Sequence, residues 1–546
     1  MEQKFIIYQL LLRVFGNKNA NCVSNGSLLL NGSGKFSSIS NNVFEYLHSL
    51  NVTHIWYTGV IEHVTKTDFT KYGIKKDNPS IIKGEAGSPY AIKDYYDVNP
   101  YLADDVNNRM AEADQLIERT HNNGFKVIID FVPNHLAREY FSDSLPANAE
   151  NFGESDNTNF PFSPQNNFYY LPDKTFIKGT YTEKPAKATG NDCFTDNPTD
   201  NDWYETVKLN YGVDYLSGKK KCFNPIPKTW LMMKDVLMFW LGKGVDGFRC
   251  DMAEMVPAEF WKWCIGEVKE KFPATLFIAE VYNPNEYDSY IGAGFDFLYD
   301  KVGLYDTLKA ISQGNLSAEA ITSNWQFLGD RQYKMLNFLE NHDEQRIASA
   351  FNLRNPFKAI PELVVSLMFN RTPFMLYFGQ EVGEEGMLKE GFSGEDGRTS
   401  IFDYCAASSV VRLLNDNLKT NEEELLKIYR ELLSVAMHSF SIKYGDTYDL
   451  QYANSSNEFF DKNKCFVFAR KTRYMIDNSL NKGELSLKTK ELSIIVVDFS
   501  QSYKSTKINL PDHFYKFWDI DNKKIPNSLN ITFNEFGYSI LKFQDF

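Results

Sequence analysis

Short, nearly continuous apolar runs alternate with longer amphipathic stretches through most of the first 440 residues. Eight runs read as strands: 5–14, 52–60, 126–132, 244–251, 276–281, 295–299, 335–339 and 373–378. A strand that is apolar at consecutive positions is buried on both faces, as in a parallel sheet. Between the runs, 103–123, 228–241 and 258–271 carry apolar residues three and four apart, the period of an amphipathic helix. Eight strand–helix repeats predict an α/β fold, a (β/α)8 TIM barrel. The stretch 421–440 supplies the last barrel helix, with Asn421 as its N-cap and acids in the first turn to suit the helix dipole.

The alternation fails twice. More than eighty residues after the third strand, 136–222, are rich in Asn, Asp, Gly, Pro and Tyr and show little periodicity. A structureless loop of that length is uncommon in a compact domain. The stretch therefore reads as an inserted, irregular subdomain beside the C-terminal ends of the strands. From 444 to 546 the runs become short and alternating, as in CFVFARKTRY and LSIIVVDFS, which predicts a C-terminal antiparallel β-domain. The expected organisation is a barrel from 1–135 and 223–443, the insertion at 136–222 and the β-domain at 444–546.

Three of the strands end in acids: Asp251 after GVDGFRC, Glu280 after LFIA, and Asp343 after MLNFLENH. The C-terminal ends of barrel strands face the active site. Three carboxylates converging there suit glycosidic-bond chemistry, in which one attacks, one protonates the leaving oxygen and a third helps hold a distorted sugar. Arg249 precedes Asp251 by two residues and so shares its strand face. A guanidinium there would keep Asp251 ionised and oriented. Glu280 follows an apolar strand and neighbours two other acids, surroundings that suit a general acid.

The chain is 43% hydrophobic and 24% charged, ordinary for a globular protein. Its net charge of −13 argues against nucleic acid and anionic membranes as partners. A neutral glucan needs no charge steering. The seven cysteines are scattered without a CxxC pair, which suits a reducing compartment rather than a disulfide framework or zinc site. The apolar run near the start is too short for a membrane span and reads as the first strand. A cytoplasmic location is expected. No phosphate loop, nucleotide motif or redox signature is present, so no cofactor is expected to be required. Oligomeric state is left open.

Four motifs then occur in order: DFVPNH (130–135), GFRCD (247–251), FIAEV (277–281) and ENHDEQR (340–346). With SPYAIKDYYDVNP (88–100) and TPFMLYFGQEVGEEG (372–386), they resemble the α-amylase family, glycoside hydrolase family 13, over essentially the whole chain. The resemblance implies a barrel, a subdomain after its third strand and a C-terminal β-domain. It makes Asp251 the nucleophile, Glu280 the general acid/base and Asp343 the third carboxylate. It assigns substrate binding to Tyr90, which stacks on the sugar, to His135 and His342, which hydrogen-bond it, and to Arg249. Asp130 and Asn134 match structural positions, and in many relatives the Asn is also a calcium ligand.

The chain departs from the family pattern in two respects. Many α-amylases carry a Lys–His pair after the nucleophile where this chain has Glu254 and Met255. In VKLN (207–210), Lys208 replaces an Asp that helps bind calcium and resembles the neopullulanase and cyclomaltodextrinase branch. That resemblance is partial, since the chain starts at the first barrel strand. A lost carboxylate and a gained ammonium make the usual calcium site doubtful, with Asn134 the one residue that matches a ligand. The expected activity is retaining hydrolysis of α-1,4-glucosidic bonds in maltooligosaccharides or starch fragments through a covalent glycosyl-enzyme intermediate. The alternatives are a 4-α-glucanotransferase or trehalose synthase-type enzyme on the same site, and an inactive barrel scaffold. Endo or exo cleavage and α-1,4 or α-1,6 preference stay open.

Overall fold

All eight apolar runs form strands, and the strands close on themselves. They are β1 (Ile6–Leu11), β2 (His54–Thr58), β3 (Lys126–Phe131), β4 (Gly247–Cys250), β5 (Leu276–Ala279), β6 (Phe297–Tyr299), β7 (Met335–Phe338) and β8 (Phe374–Tyr377). Each pairs in parallel with its neighbours in chain order, and β8 returns to β1 through Ile6↔Phe374 to Gln9↔Tyr377. The computed structural model describes residues 4–19, 22–147, 149–386, 392, 394–472, 475–476, 485–486 and 491–544.

Alternate strand residues fill the barrel interior: Ile7, Trp56, Ile128, Ile278, Phe297, Tyr299, Leu336, Phe338 and Met375 form one buried cluster. The other strand faces pack on the surrounding helices within a second, much larger core. This double burial is why the strands read as unbroken apolar runs. Higher up the same inward rows, the residues become Gln9, Asp130 and Arg249. The sequence thus switches from packing to chemistry at the C-terminal end of the barrel.

Helix boundaries differ from the periodicity at two places. The stretch 103–123 is helical only over Arg109–Asn122, after 3-10 turns at Pro100–Leu102 and Val106–Asn108. The Asp105 side chain caps the second turn at the Asn107 N–H, and the Glu112 carboxylate takes the N–H groups of Asp104 and Asp105. These side-chain acceptors replace an extra helical turn. The last barrel helix is Thr420–His438, so Asn421 lies inside its first turn and does not cap it. Glu422 takes that role, accepting the Lys419 N–H at 2.9 Å while paired to Arg412. A carboxylate is the stronger acceptor.

Among the described residues between β3 and the helix Lys228–Gly242, the insertion's strands are two or three residues long, with one 3-10 turn at Tyr215–Ser217. Its Asn and Asp side chains make the backbone hydrogen bonds that longer ladders would otherwise make. Asp156, for example, accepts the N–H groups of both Asn167 and Phe168. One pairing fixes the insertion to the barrel mouth: Thr206–Lys208 runs antiparallel to His135–Ala137, with Lys208 opposite His135.

The C-terminal sheet is antiparallel, in the order β9 (Asp446–Asp449), β10 (Cys465–Lys471), β11 (Glu491–Asp498) and β12 (Tyr538–Gln544). Its two central strands, β10 and β11, are buried on both faces. Phe466 and Phe468 meet Phe369 of the barrel unit edge-on at 5.4 and 5.1 Å. Val467 and Ala469 face an outer cluster with Ile508, Phe514 and Trp518. Phe514 and Trp518 come from a helix, Asp512–Trp518, that the alternating pattern did not predict. All seven cysteines are free thiols. Among the described residues, no helix is long and apolar enough to cross a membrane.

Candidate active site

Arg249 is the hub of the strand ends. It lies inward on β4, opposite Asp130 on β3, and is fully buried. The rings of Trp56, Tyr90 and Tyr299 surround its guanidinium with centroids 5.4–5.6 Å from Cζ. Such a setting fixes a planar cation by stacking and burial. Its Nη1 stands 2.7 Å from Asp251 Oδ1 and 3.6 Å from Asp130 Oδ1, and its Nη2 stands 2.8 Å from Glu280 Oε2. Trp56 Nε1 donates to the other Asp130 oxygen at 3.0 Å.

Glu280, just past β5, accepts two further hydrogen bonds. The Met252 N–H donates to Oε2 at 2.7 Å, and the Tyr282 hydroxyl donates to Oε1 at 2.6 Å. Met252 adopts a left-handed backbone, φ 42°, which a side-chain-bearing residue accepts only when its surroundings impose it. Here the strained turn aims an N–H at Glu280 directly after Asp251. Glu254 does not reach into the cleft as a lysine would. Its carboxylate takes the N–H groups of Tyr282 and Asn283 at 3.0 and 2.9 Å, so it shapes the loop that carries Tyr282.

Asp343 is placed by a chain that starts at Gln9 in the upper half of β1. Gln9 Nε2 donates to Thr58 Oγ1 at 3.1 Å and to His342 Nδ1 at 2.8 Å. His342 Nε2 lies 3.0 Å from Asp343 Oδ2 and 2.6 Å from the Tyr90 hydroxyl. The Tyr90 ring stacks on the His342 ring at 5.1 Å and 22°. Arg398 Nε donates to the Asp343 carbonyl at 2.6 Å. Arg346 pairs with Glu340 at 2.9 Å and donates to the Phe378 carbonyl, which anchors the loop between them.

The protonation pattern follows from burial set against charge. Asp251 and Asp130 are both raised by burial, with Arg249 opposing, and Glu280 raises Asp251 further. The ion pair expected from sequence therefore forms, but burial outweighs it. Three buried acids thus face one guanidinium. Asp343 behaves oppositely. Burial would raise it, but His342, Arg249 and Arg398 outweigh that and hold it down to about 2. Its side chain keeps 42% of its surface accessible, so it opens into the cleft as a carboxylate.

His135 completes the site. Its ring lies 5.1 Å from that of Trp203, and burial followed by the Lys208 charge pushes it down to about 3. It is neutral, able to donate and accept. Lys208 is buried beside it, with Nζ 2.7 Å from Asn134 Oδ1 and 2.5 Å from Asp192 Oδ1. The oxygen of Asn134 that would face a calcium ion instead accepts from an ammonium. One amide oxygen and one carboxylate around a fixed cation do not make the six to eight oxygen ligands that calcium takes. Among the described residues, one other carboxylate group converges: Glu62, Asp94, Asp97 and Asp143. Lys93 approaches Glu62 at 3.7 Å and Arg109 pairs with Asp97 and Asp143, so cations already serve it.

A cavity of about 510 Å³ opens above these residues, and Tyr90, His135, Asp251, Glu280, His342 and Asp343 all line it. Arg249 lies beneath it. The structure thus brings together every residue that the sequence proposed for catalysis or binding. Sequence reasoning missed Gln9, Tyr282 and Arg398, and it marked Glu254 only as a departure from the family pattern. Gln9 had a signal, as a polar residue two positions past Ile7 on the inward row of β1. Arg398 had none, because its loop is joined to Asp343 only by folding.

Residues 9–427 match the family model described as the alpha amylase catalytic domain. Alpha-amylase 3 of Dictyoglomus thermophilum is 23% identical over 464 residues, 81% of this chain and 78% of that protein. Neopullulanase 2 of Thermoactinomyces vulgaris is 23% identical over 62% of this chain, which spans about half, 48%, of its length. A maltosyltransferase and a cyclomaltodextrin glucanotransferase stand beside these hydrolases at 24% and 23% identity. The crystal structure of an α-amylase from Geobacillus thermoleovorans, complexed with acarbose, superposes with a TM-score of 0.62, 17% identity and 99% coverage of both chains.

Proposed function

The chain belongs to the α-amylase family, and we propose that it is a retaining hydrolase of α-1,4-glucosidic bonds in short α-glucans. The observation that carries this reading is the shared guanidinium. One Arg249 side chain contacts both Asp251 and Glu280, at 2.7 and 2.8 Å. That favours the close carboxyl spacing of a retaining enzyme, about 5–5.5 Å, over the wider spacing of an inverting one, about 6.5–9.5 Å.

In this reading a glucosyl ring sits on Tyr90, an aromatic face that tolerates the hydroxyl rim of a sugar. Asp343 and His342 hold ring hydroxyls, and neutral His135 holds another. Asp251 attacks the anomeric carbon as Glu280 gives its proton to the leaving oxygen. This step needs Glu280 to carry the proton while Asp251 is ionised. Glu280 then takes a proton from the water that resolves the glycosyl-enzyme. Transfer to a sugar acceptor uses the same intermediate, and the transferases among the relatives keep that second reading in view. Early products of maltoheptaose should be α-anomers by NMR, with glucose and short maltooligosaccharides accumulating. Initial β-anomers would exclude attack by Asp251, and products longer than the substrate would favour transfer.

The Lys208 ammonium supports a further part of this reading, that calcium is not used between insertion and barrel. A specific ligand at a hundredfold its Kd adds about 2.7 kcal/mol of stability. EDTA should therefore leave the melting temperature within a degree or so, whereas Lys208→Met should lower it by leaving Asp192 unpaired. A drop of many degrees in EDTA, reversed by calcium, would contradict the assignment.

A further inference from the structure

We propose that the cleft is walled off beyond the ring held by Tyr90, so that the chain removes short units from the non-reducing ends of glucans. This rests on the glucan-hydrolase reading and adds a direction to it.

The direction follows from the chemistry. The group that protonates the glycosidic oxygen must lie on the leaving-group side. Glu280 therefore marks that side of the cavity, together with Tyr282, Met252 and Val302, which also line it. The ring being transferred lies among Tyr90, His135 and His342. Lys83, Trp203, Glu205 and Phe402 also line the cavity, and Trp203 stands against the His135 ring at 5.1 Å, so on this proposal these four lie beyond the transferred ring.

These four come from three loops that bind one another. Lys83 Nζ pairs with Glu205 at 3.0 Å and donates to the Asp202 carbonyl at 3.2 Å, and so ties the insertion to the loop before Tyr90. Its ammonium also lies over the Tyr204 ring at 5.1 Å. Lys83 and Glu205 keep only 10% and 6% of their side chains accessible. The same loop binds the third one. Ala86 N–H donates to the Phe402 carbonyl at 3.0 Å, and a Cβ on Gly84 would stand 2.2 Å from that oxygen. The 400–404 loop is anchored in turn: buried Arg13 donates to the Ile401 carbonyl, and the Tyr404 hydroxyl meets Thr65 and Thr67 at 3.0 and 2.8 Å.

An open groove for endo cleavage needs a continuous path on both sides of the catalytic acids. Here the far side is crossed by a buried ion pair and a backbone hydrogen bond. Opening it would break a desolvated Lys–Glu pair, which leaves one charge buried alone and is costly. A glucan would enter with its non-reducing terminus against this wall, and its remainder would leave past Tyr282 and Val302.

The test compares two maltoheptaoses carrying the same label at the reducing end, one with a free non-reducing terminus and one blocked there by a 4,6-O-ethylidene group. Labelled products are resolved by chromatography at low conversion. The free substrate should give one labelled product, shortened by a fixed small number of units. The blocked one should react at least a hundredfold more slowly. Lys83→Ala combined with Phe402→Ala should narrow that ratio by tenfold or more. Equal rates on the two substrates, or a ladder of labelled products from the free one, would overturn the wall and leave glucan hydrolysis standing. Cleavage of neither would overturn the hydrolase reading and the wall with it. A ratio unchanged in the double variant would overturn the assignment to these side chains.

Discussion

Asp251→Asn and Glu280→Gln should each all but abolish cleavage of maltoheptaose while leaving the fold intact. The amides are nearly isosteric with the acids, and both positions lie against a cation and hydrogen-bond donors. The two losses should differ in size. In the proposed mechanism Asp251 forms the covalent intermediate, and removal of a nucleophile acting in a catalytic set costs roughly 10⁴-fold or more. Without the acid/base, proton transfer is lost, worth about 10²–10⁴-fold. A substrate with a good leaving group, such as an α-glucosyl fluoride, needs little protonation in the first step. Glu280→Gln should keep more of its glycosylation rate on that substrate, and Asp251→Asn should not. Single-turnover rates on the two substrates, with circular dichroism to confirm folding, measure this. A tenth of wild-type kcat in either variant would remove that residue from its role.

Arg249→Lys should be nearly as damaging although it keeps the charge. A guanidinium presents a planar fork that reaches two carboxylates at once, whereas an ammonium is a point charge. Lysine at this position could pair with Asp251 or Glu280, not both in the present geometry, and would lose the stacking of Trp56, Tyr90 and Tyr299. A loss of roughly 10²–10³-fold in kcat/KM is expected from displaced catalytic groups. The sign of the pH effect also follows. Asp251 is already raised by burial, and Arg249 is the largest influence opposing that rise. Weakening it raises Asp251 further, so the limb that requires its ionised form should move to higher pH. An unaltered pH profile with full kcat would show that the bridge between the acids is not used in catalysis.

Sequence alone was enough for the barrel and for the acids that stand at the ends of its strands. A strand buried on both faces must be apolar throughout, so an acid ending such a run stands out. Eight such runs leave little choice of fold. The motifs around Asp251, Glu280 and Asp343 are local, each within a few residues of a strand end, and remain legible before folding. The same locality explains the misplaced helix starts. The periodicity at 103–123 and 421–440 is helical, but Glu112 and Glu422 bind nearby N–H groups and move the boundary.

What only the tertiary structure decided lies between segments distant in the chain. Gln9 reaches His342 across 333 residues and Arg398 reaches the Asp343 carbonyl across 55, and no local pattern marks either pair. The sequence raised the question of Lys208 and calcium, but its partners, Asn134 and Asp192, became visible only when the insertion folded back on β3. The proton balance of the site was also undecided until then. Arg249 beside Asp251 in sequence suggested a simple ion pair, while the fold placed Asp130 and Glu280 around the same cation and buried the group. Burial and charge balance are properties of the assembled barrel mouth, because they depend on what surrounds a group in space rather than on what precedes it in the chain.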